Sequence, residues 1–186
     1  MTVPTYIDRR SAGAAEQVIA LEAERVSVTE NGTVKRAIRY EDLREIRLSI
    51  GLAGRDSQVL CRLTGRDNTR ILFGSRSWKA IGEWENRADR FREFNAALHA
   101  RALAHAETIA FIEGQPFWSG LLLPCIGLAL AALGAAFALY FLREGNPLAL
   151  VGLPGMAIGL YLAWILRPRP AKPYDPETYA RTANTP

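Results

Sequence analysis

Apolar and polar residues alternate with a period of two from about residue 17 to residue 74. This alternation is typical of strands with one buried face, because neighbouring side chains of a strand point to opposite sides. Asn31-Gly32 separates two such runs and predicts a tight hairpin turn. About six short strands joined by tight turns are expected, which indicates a small antiparallel β-barrel or sandwich.

The period becomes that of a helix between about residues 86 and 107. Apolar residues recur there at spacings of three and four, namely at Ala88, Phe91, Phe94, Leu98 and Ala102. One apolar stripe on a charged segment predicts an amphipathic helix that packs on the strands. We therefore expect an α+β fold in which one C-terminal amphipathic helix closes the barrel or sandwich.

Two uncharged runs follow, at residues 120–142 and 147–166, with only four residues between them. As helices they would rise about 34 Å and about 30 Å, and the hydrocarbon core of a bilayer is about 30 Å thick. A small soluble domain has too little interior to bury both helices on all sides. The sequence thus predicts a two-helix transmembrane hairpin at 119–166, with spans at about 119–142 and 147–166.

Charge after the second run predicts the orientation of this hairpin. The basic residues Arg167, Arg169, Lys172 and Arg181 outnumber the acidic residues there, whereas the turn between the runs is neutral. By the positive-inside rule, both termini are expected in the cytoplasm, and no signal peptide is evident in the first 18 residues. The prediction is a multi-pass protein integral to the lipid bilayer of the inner (plasma) membrane. The expected interface anchors are Trp118, Tyr140, Trp164, Arg167, Arg169 and Lys172.

Small residues spaced by four predict close helix contact within the two runs. Gly155 and Gly159 form one such pair, and Gly134 and Ala138 form another. The favoured interpretation is that the two helices of one chain pack on each other. The alternative is that the same residues form a homo-oligomer.

The segment IRYEDLREIRL, residues 38–48, resembles the strand–turn–strand segment of bacterial membrane-anchored pleckstrin-homology-like domains, which reads roughly I-x-Y-x-D-I-x-x-I. The matching positions are Ile38, Tyr40, Asp42, Leu43 and Ile46. With the strands in series and the helix that ends the domain, the resemblance covers about residues 12–108. Some eukaryotic members bind phosphoinositides through a basic first hairpin, but Glu22 and Glu24 occupy that region here, so this property is not carried over.

These patterns predict five segments along the chain. They are an N-terminal extension at 1–14, a cytoplasmic pleckstrin-homology-like domain at 15–108, a linker at 109–118, the hairpin at 119–166 and a basic, proline-rich cytoplasmic tail at 167–186.

Composition and motifs argue against several classes of function. Residues 1–114 carry 18 Lys and Arg against 16 Asp and Glu, and a net charge of +2 spread along a domain is a poor footprint for nucleic-acid binding. Cys61 and Cys125 fall in unlike segments and predict no disulfide, while His99 and His105 are six residues apart, a spacing that does not suit two metal ligands on one helix face. No metal or other cofactor is expected. The chain carries no phosphate-binding loop, HExxH or GxSxG motif, so we expect no enzymatic activity.

The stretch FGSRSWKAIGEW, residues 73–84, is the candidate binding patch. It places two tryptophans beside two cations, namely Arg76, Trp78, Lys79 and Trp84. Such residues suit a protein partner or the lipid interface, and the alternative is that both tryptophans belong to the core. We expect a non-enzymatic inner-membrane protein that presents its cytoplasmic domain as a protein-binding or scaffolding module for a membrane or cytoplasmic protein. The alternative function is a sensor of anionic lipid headgroups at the inner leaflet.

Overall fold

The computed structural model describes residues 3–115, 117–165 and 171–181, without the side chains of residues 117–120, 122 and 123. The strands in this part of the chain are β1 Thr5–Asp8, β2 Gln17–Leu21, β3 Arg25–Glu30, β4 Thr33–Arg39, β5 Leu43–Ala53, β6 Asp56–Gly65, β7 Arg70–Gly74, β8 Arg76–Ala80, β9 Glu83–Asn86, β10 Ala110–Glu113 and β11 Lys172–Pro173. The α-helices are α1 Ala88–Ala102, α2 Phe117–Arg143, α3 Ala149–Ile165 and α4 Pro176–Arg181.

The chain forms two compact units, and the first is discontinuous in sequence. Unit 1 combines the chain up to Gly114 with the chain from Lys172 onward, whereas unit 2 comprises residues 115–171. Lys172 lies directly opposite Glu113 in the antiparallel pairing of β10 with β11. The chain therefore leaves unit 1 and re-enters it at neighbouring positions, so unit 2 is an insertion between two paired strands.

Unit 1 contains three sheets. The first has the order β1-β2-β3-β4, with each strand antiparallel to the next. Asn31 and Gly32 turn β3 into β4 with φ of 51° and 76°, as the Asn-Gly pair predicts. The second sheet has the order β11-β10-β5-β6-β7, and β8 pairs with β9 in the third.

The predicted closed barrel, and with it the predicted fold class, is wrong. In the described residues β1 and β4 are the edges of one sheet, and β7 and β11 are the edges of another, so the strands form no continuous ring. The second sheet is also not purely antiparallel, because β10 follows α1 and pairs in parallel with β5. Local alternation identified the buried faces of the strands, but it contains no information about which edges meet.

The core of unit 1 lies between these sheets and α1. The predicted stripe on α1 is buried there through Phe91, Phe94, Leu98 and Ala102. Phe91 and Phe94 pack with Phe73, at ring-centroid distances of 5.6 and 5.4 Å. Tyr6 joins this cluster and donates a hydrogen bond to the carbonyl of Gly74 at 2.6 Å, which ties β1 to the end of β7.

Unit 2 is a pair of antiparallel helices, and the prediction of two membrane spans is not confirmed. One helical segment in the described residues, Pro124–Arg143, is long and apolar enough to cross a membrane. The second helix, α3, has 17 residues and rises about 26 Å, less than the roughly 30 Å of a hydrocarbon core. It begins only at Ala149, because Asn146 turns the chain and accepts a hydrogen bond from the backbone N–H of Leu148 at 3.0 Å.

Small residues form the contact between α2 and α3. A Cβ atom added to Gly134 would lie 2.6 Å from the backbone nitrogen of Met156, and one added to Gly152 would lie 2.8 Å from the Cβ of Ala138. A Cβ added to Gly159 would be similarly close to Ala131 and Gly127 of α2, whereas one added to Gly155 would have its nearest neighbour, the Cα of Gly134, at 3.8 Å. Gly134, Ala138 and Gly159 therefore pack within one chain, and Gly127 and Gly152 belong to the same contact.

Candidate functional site

The candidate binding patch lies on the hairpin formed by β8 and β9. Trp78 and Trp84 occupy directly opposite positions in this pairing, and both side chains are half-buried. Ile81, at the tip between the strands, is 95% exposed. The two tryptophans therefore belong neither to the closed core nor to a freely solvated loop. We call Trp78, Ile81 and Trp84 the hairpin surface.

Two arginines from the N-terminal segment hold the tryptophans in place. The guanidinium of Arg9 lies 4.6 Å from the ring centroid of Trp78, and that of Arg10 lies 5.7 Å from the ring of Trp84. Both distances suit a cation–π interaction. The backbone N–H of Trp78 also donates to the carbonyl of Arg9 at 2.7 Å, and the N–H of Arg9 donates to Oγ of Ser77 at 2.9 Å.

Sequence reasoning missed Arg9 and Arg10, because they lie about 70 residues away from the tryptophans they contact. The pair Arg9-Arg10 directly after an extended run was the only local signal. A pair of arginines is equally typical of a solvated turn, so the contact becomes evident only in the folded chain.

The buried carboxylate of Asp8 contacts Arg10 and helps to hold it in this arrangement. Asp8 is fully buried, and its Oδ2 accepts hydrogen bonds from the N–H of Gly74 at 3.2 Å and from Nη1 of Arg10 at 3.4 Å. Burial raises the pKa of Asp8 above its ordinary value of 3.8, and Arg10 opposes that rise. Arg10 also donates to the carbonyl of Arg76 at 2.9 Å and to Oε1 of Gln58 at 3.0 Å, which fixes the base of the hairpin.

The two cations predicted for the patch are both paired with acids. Arg76 lies 2.8 Å from a carboxylate oxygen of Asp56, and Nζ of Lys79 lies 2.9 Å from Oε1 of Glu83. Arg76 is largely shielded from solvent, whereas the Lys79–Glu83 pair is exposed and contributes little to stability. Much of the positive charge around the tryptophans is therefore compensated within the chain.

The remaining predicted residues lie elsewhere. Tyr140 and Trp164 are 60% and 68% exposed on α2 and α3. Lys172 is exposed and belongs to β11. The side chain of Trp118 and the residues Arg167 and Arg169 lie outside the described part of the chain.

One feature of unit 1 was not anticipated from the sequence. Residues 172–181, which the sequence assigned to a cytoplasmic tail, pack as β11 and α4 against β10 and α1. Tyr174 and Tyr179 contact His99 with ring-centroid distances of 5.7 and 5.4 Å. A signal was present in these two tyrosines within an otherwise polar segment, but their binding partner lies about 75 residues earlier in the chain.

The resemblance to pleckstrin-homology-like domains remains a prediction. Comparison of this chain with protein-family models, with curated proteins and with solved structures finds no match.

Proposed function

We propose that this protein is a non-enzymatic, membrane-anchored scaffold whose unit 1, of pleckstrin-homology-like type, binds another protein through the hairpin surface. The observation that carries the proposal is the position of Trp78 and Trp84 opposite each other on one hairpin. Tryptophans are enriched among the residues that dominate binding free energy in protein interfaces. Arg9 and Arg10 hold both rings before a partner arrives, which lowers the entropic cost of binding.

The charge around the hairpin surface supports a protein partner over an anionic lipid headgroup. A basic residue near an anionic membrane contributes about 1 kcal/mol of attraction, but that contribution needs a charge that is not already neutralised. Arg76, Lys79 and Arg10 each have a carboxylate partner within 4 Å. Ile81 at the tip adds an exposed apolar side chain, which suits an apolar pocket of a partner.

Membrane anchoring is proposed from α2 and from the discontinuity of unit 1. The apolar segment Pro124–Arg143 supplies the length needed to enter a bilayer. Glu113, before the insertion, pairs with Lys172, after it, so both flanks of unit 2 belong to the same folded unit. Both flanks must therefore lie on the same side of any membrane that α2 enters. The basic segment after α3 favours the cytoplasmic side of the inner membrane.

In-cell photocrosslinking from Ile81 tests the proposed interaction. A photoreactive residue at this tip replaces a 95% exposed side chain, and Val34 of β4, which is 53% exposed, provides a matched control position. We expect one protein to be captured reproducibly from position 81 and not from position 34. Substitution Trp84→Ser in the same background should reduce its yield about tenfold or more, as truncation of a central interface aromatic does.

The salt dependence of capture and the identity of the captured molecule distinguish a protein partner from an anionic lipid headgroup. Raising the ionic strength of isolated membranes should leave capture of a protein largely unchanged, because attraction to anionic headgroups is the contribution that salt screens. Capture of lipid alone, lost at high salt, would instead favour a headgroup sensor. Equal capture from positions 81 and 34 would contradict a specific surface.

Activity reporters fused to each terminus test the proposed orientation, in which both termini lie in the cytoplasm. Reporters that locate the two termini on opposite sides of the membrane would contradict this orientation.

A further inference from the structure

Residues 172–181, which we call the strap, close unit 1 over His99. β11 adds to the edge of β10, and the N–H of Tyr174 donates to the carbonyl of Phe111 at 3.2 Å. β11 has two residues and α4 has six. Lys172, Asp175 and Glu177 of the strap are exposed, whereas Tyr174 and Tyr179 pack against the core of unit 1. Such an element belongs to the part of a fold that opens locally at low free-energy cost.

His99 is the buried group that the strap covers. Its side chain is 0% exposed, and its ring lies among Phe111, Tyr174 and Tyr179 at centroid distances of 5.9, 5.7 and 5.4 Å. Nδ1 lies 2.7 Å from the carbonyl oxygen of Asn95, and Nε2 lies 2.7 Å from the hydroxyl of Tyr174. Because a carbonyl only accepts, Nδ1 carries the proton of the neutral ring. Nε2 then accepts a hydrogen bond from the Tyr174 hydroxyl.

We propose that the strap is a proton-gated latch, which is docked while His99 is neutral and opens when Nε2 of His99 takes up a proton. This inference is independent of what binds the hairpin surface. Its basis is the geometry of one hydrogen bond that joins the strap to a fully buried imidazole.

Protonation of Nε2 removes the hydrogen bond that the Tyr174 hydroxyl donates to His99. A protonated Nε2 donates, so the Tyr174 oxygen would have to accept and its own O–H would lose its partner. The charge would also be buried. The groups that face this site from the packed elements are Cys61 of β6, Tyr174 directly after β11, Tyr179 of α4 and, near both tyrosines, Glu113 of β10.

Glu113 is the one carboxylate among these groups, and it is exposed. Surrounding aromatic rings would favour an imidazolium by about 0.5–2 kcal/mol, less than the several kcal/mol that burial of an ion costs. The neutral ring is therefore preferred while the strap is docked.

The direction of the pH effect follows from this preference. Burial lowers the pKa of His99 below its ordinary value of 6.5 while the strap is docked. Opening exposes the ring and returns its pKa toward that value, so the open state binds more protons. Docking is then fully favoured above about pH 6.5 and is lost progressively as the pH falls below it.

Hydrogen exchange of the full-length protein in phosphatidylcholine nanodiscs tests the latch. With rates corrected for the intrinsic effect of pH, we expect protection of the strap amides, Tyr174 above all, to fall by up to about tenfold between pH 7.5 and pH 5.5, the limit for one histidine with an open-state pKa near 6.5. The amides of Val26 and Ile38, which pair in the other sheet, provide an internal control and should not change. His99→Gln should remove the pH dependence, because an amide does not titrate. Tyr174→Phe should raise exchange at both pH values.

A reversible lock adds a second, independent comparison. Ile112 and Pro173 lie directly opposite each other next to the hydrogen-bonded pair of Phe111 and Tyr174, so their Cα atoms occupy a closely spaced position of the ladder. In a Cys125→Ser background, Ile112→Cys with Pro173→Cys should form a disulfide that suppresses exchange at pH 5.5, and reduction should restore it. Strap protection that is independent of pH in the wild-type protein would overturn the proposal. An unchanged pH dependence in His99→Gln would overturn it equally.

Discussion

Excision of the inserted unit should leave a soluble, folded unit 1. Glu113 and Lys172 lie directly opposite each other, so residues 114 and 171 are positioned to form a two-residue hairpin turn once residues 115–170 are removed. Replacing Gly114 and Ala171 by Asn-Gly supplies the turn chemistry that such a hairpin prefers. The resulting chain lacks both apolar helices and is expected to be monodisperse without detergent.

The strap contributes to the free energy of unfolding of the excised protein through one hydrogen bond and several aromatic contacts. Deleting the strap from the excised protein removes the hydrogen bond between the Tyr174 hydroxyl and Nε2 of His99 and exposes the ring to water, a net loss of about 0.5–1.5 kcal/mol. Each lost aromatic contact adds about 0.5–1.5 kcal/mol. We therefore expect the excised protein with its strap to exceed the strap-free form by about 2–5 kcal/mol in free energy of unfolding. Shortening the loop from about 58 residues to two adds at most about 3 kcal/mol to the stability of the strap-bearing form.

Urea denaturation followed by tryptophan fluorescence provides the measurement. Trp118 and Trp164 are removed with the insertion, so the signal comes from Trp78 and Trp84 alone. The free energies follow from linear extrapolation of each transition. Equal stability of the two forms would refute the structural role of the strap. An insoluble excised chain, or one without a cooperative transition, would refute the division into two units.

Three further substitutions test the core, the helix contact and the buried acid. Phe73→Ala should lower the free energy of unfolding of unit 1 by about 3–5 kcal/mol because it leaves a cavity among aromatic rings, whereas Val34→Ala at an exposed site should change it by less than about 0.5 kcal/mol; equal effects in urea denaturation would contradict the proposed core. Gly159→Ala should destabilise the helix pair by about 1–3 kcal/mol in detergent-induced unfolding, whereas Gly155→Ala should be tolerated; similar midpoints would contradict the packing. In the wild type the pKa of the Asp8 carboxyl is raised, and the stabilisation that this shift gives is present below about pH 3.8 and is lost as the pH rises through the raised pKa. Asp8→Asn keeps a hydrogen-bond acceptor at this site but does not titrate. The free energy of unfolding of the variant, measured by urea denaturation, should therefore rise relative to that of the wild type between pH 3 and pH 7. A difference that is independent of pH would contradict this.

The candidate site was only partly predictable from the sequence. Trp78, Trp84, Arg76 and Lys79 form a local cluster, and the structure places them on one hairpin, because residues a few positions apart meet whenever a tight turn joins two strands. Arg9 and Arg10 reach the same site from the other end of the chain. Their contact depends on β1 lying near β8, which no local pattern encodes.

The sequence alone determined the local elements of this protein. Alternation located strands such as β3 and β4 with their Asn-Gly turn, a three-and-four spacing located the buried stripe of α1, and an uncharged run located α2. Each of these follows from the geometry of a single strand, turn or helix. Tertiary structure decided which edges pair, that β10 lies parallel to β5, and that the strap returns to cover His99. These contacts join residues that lie about 65–75 positions apart, and their free energy is gained only when the whole of unit 1 has closed.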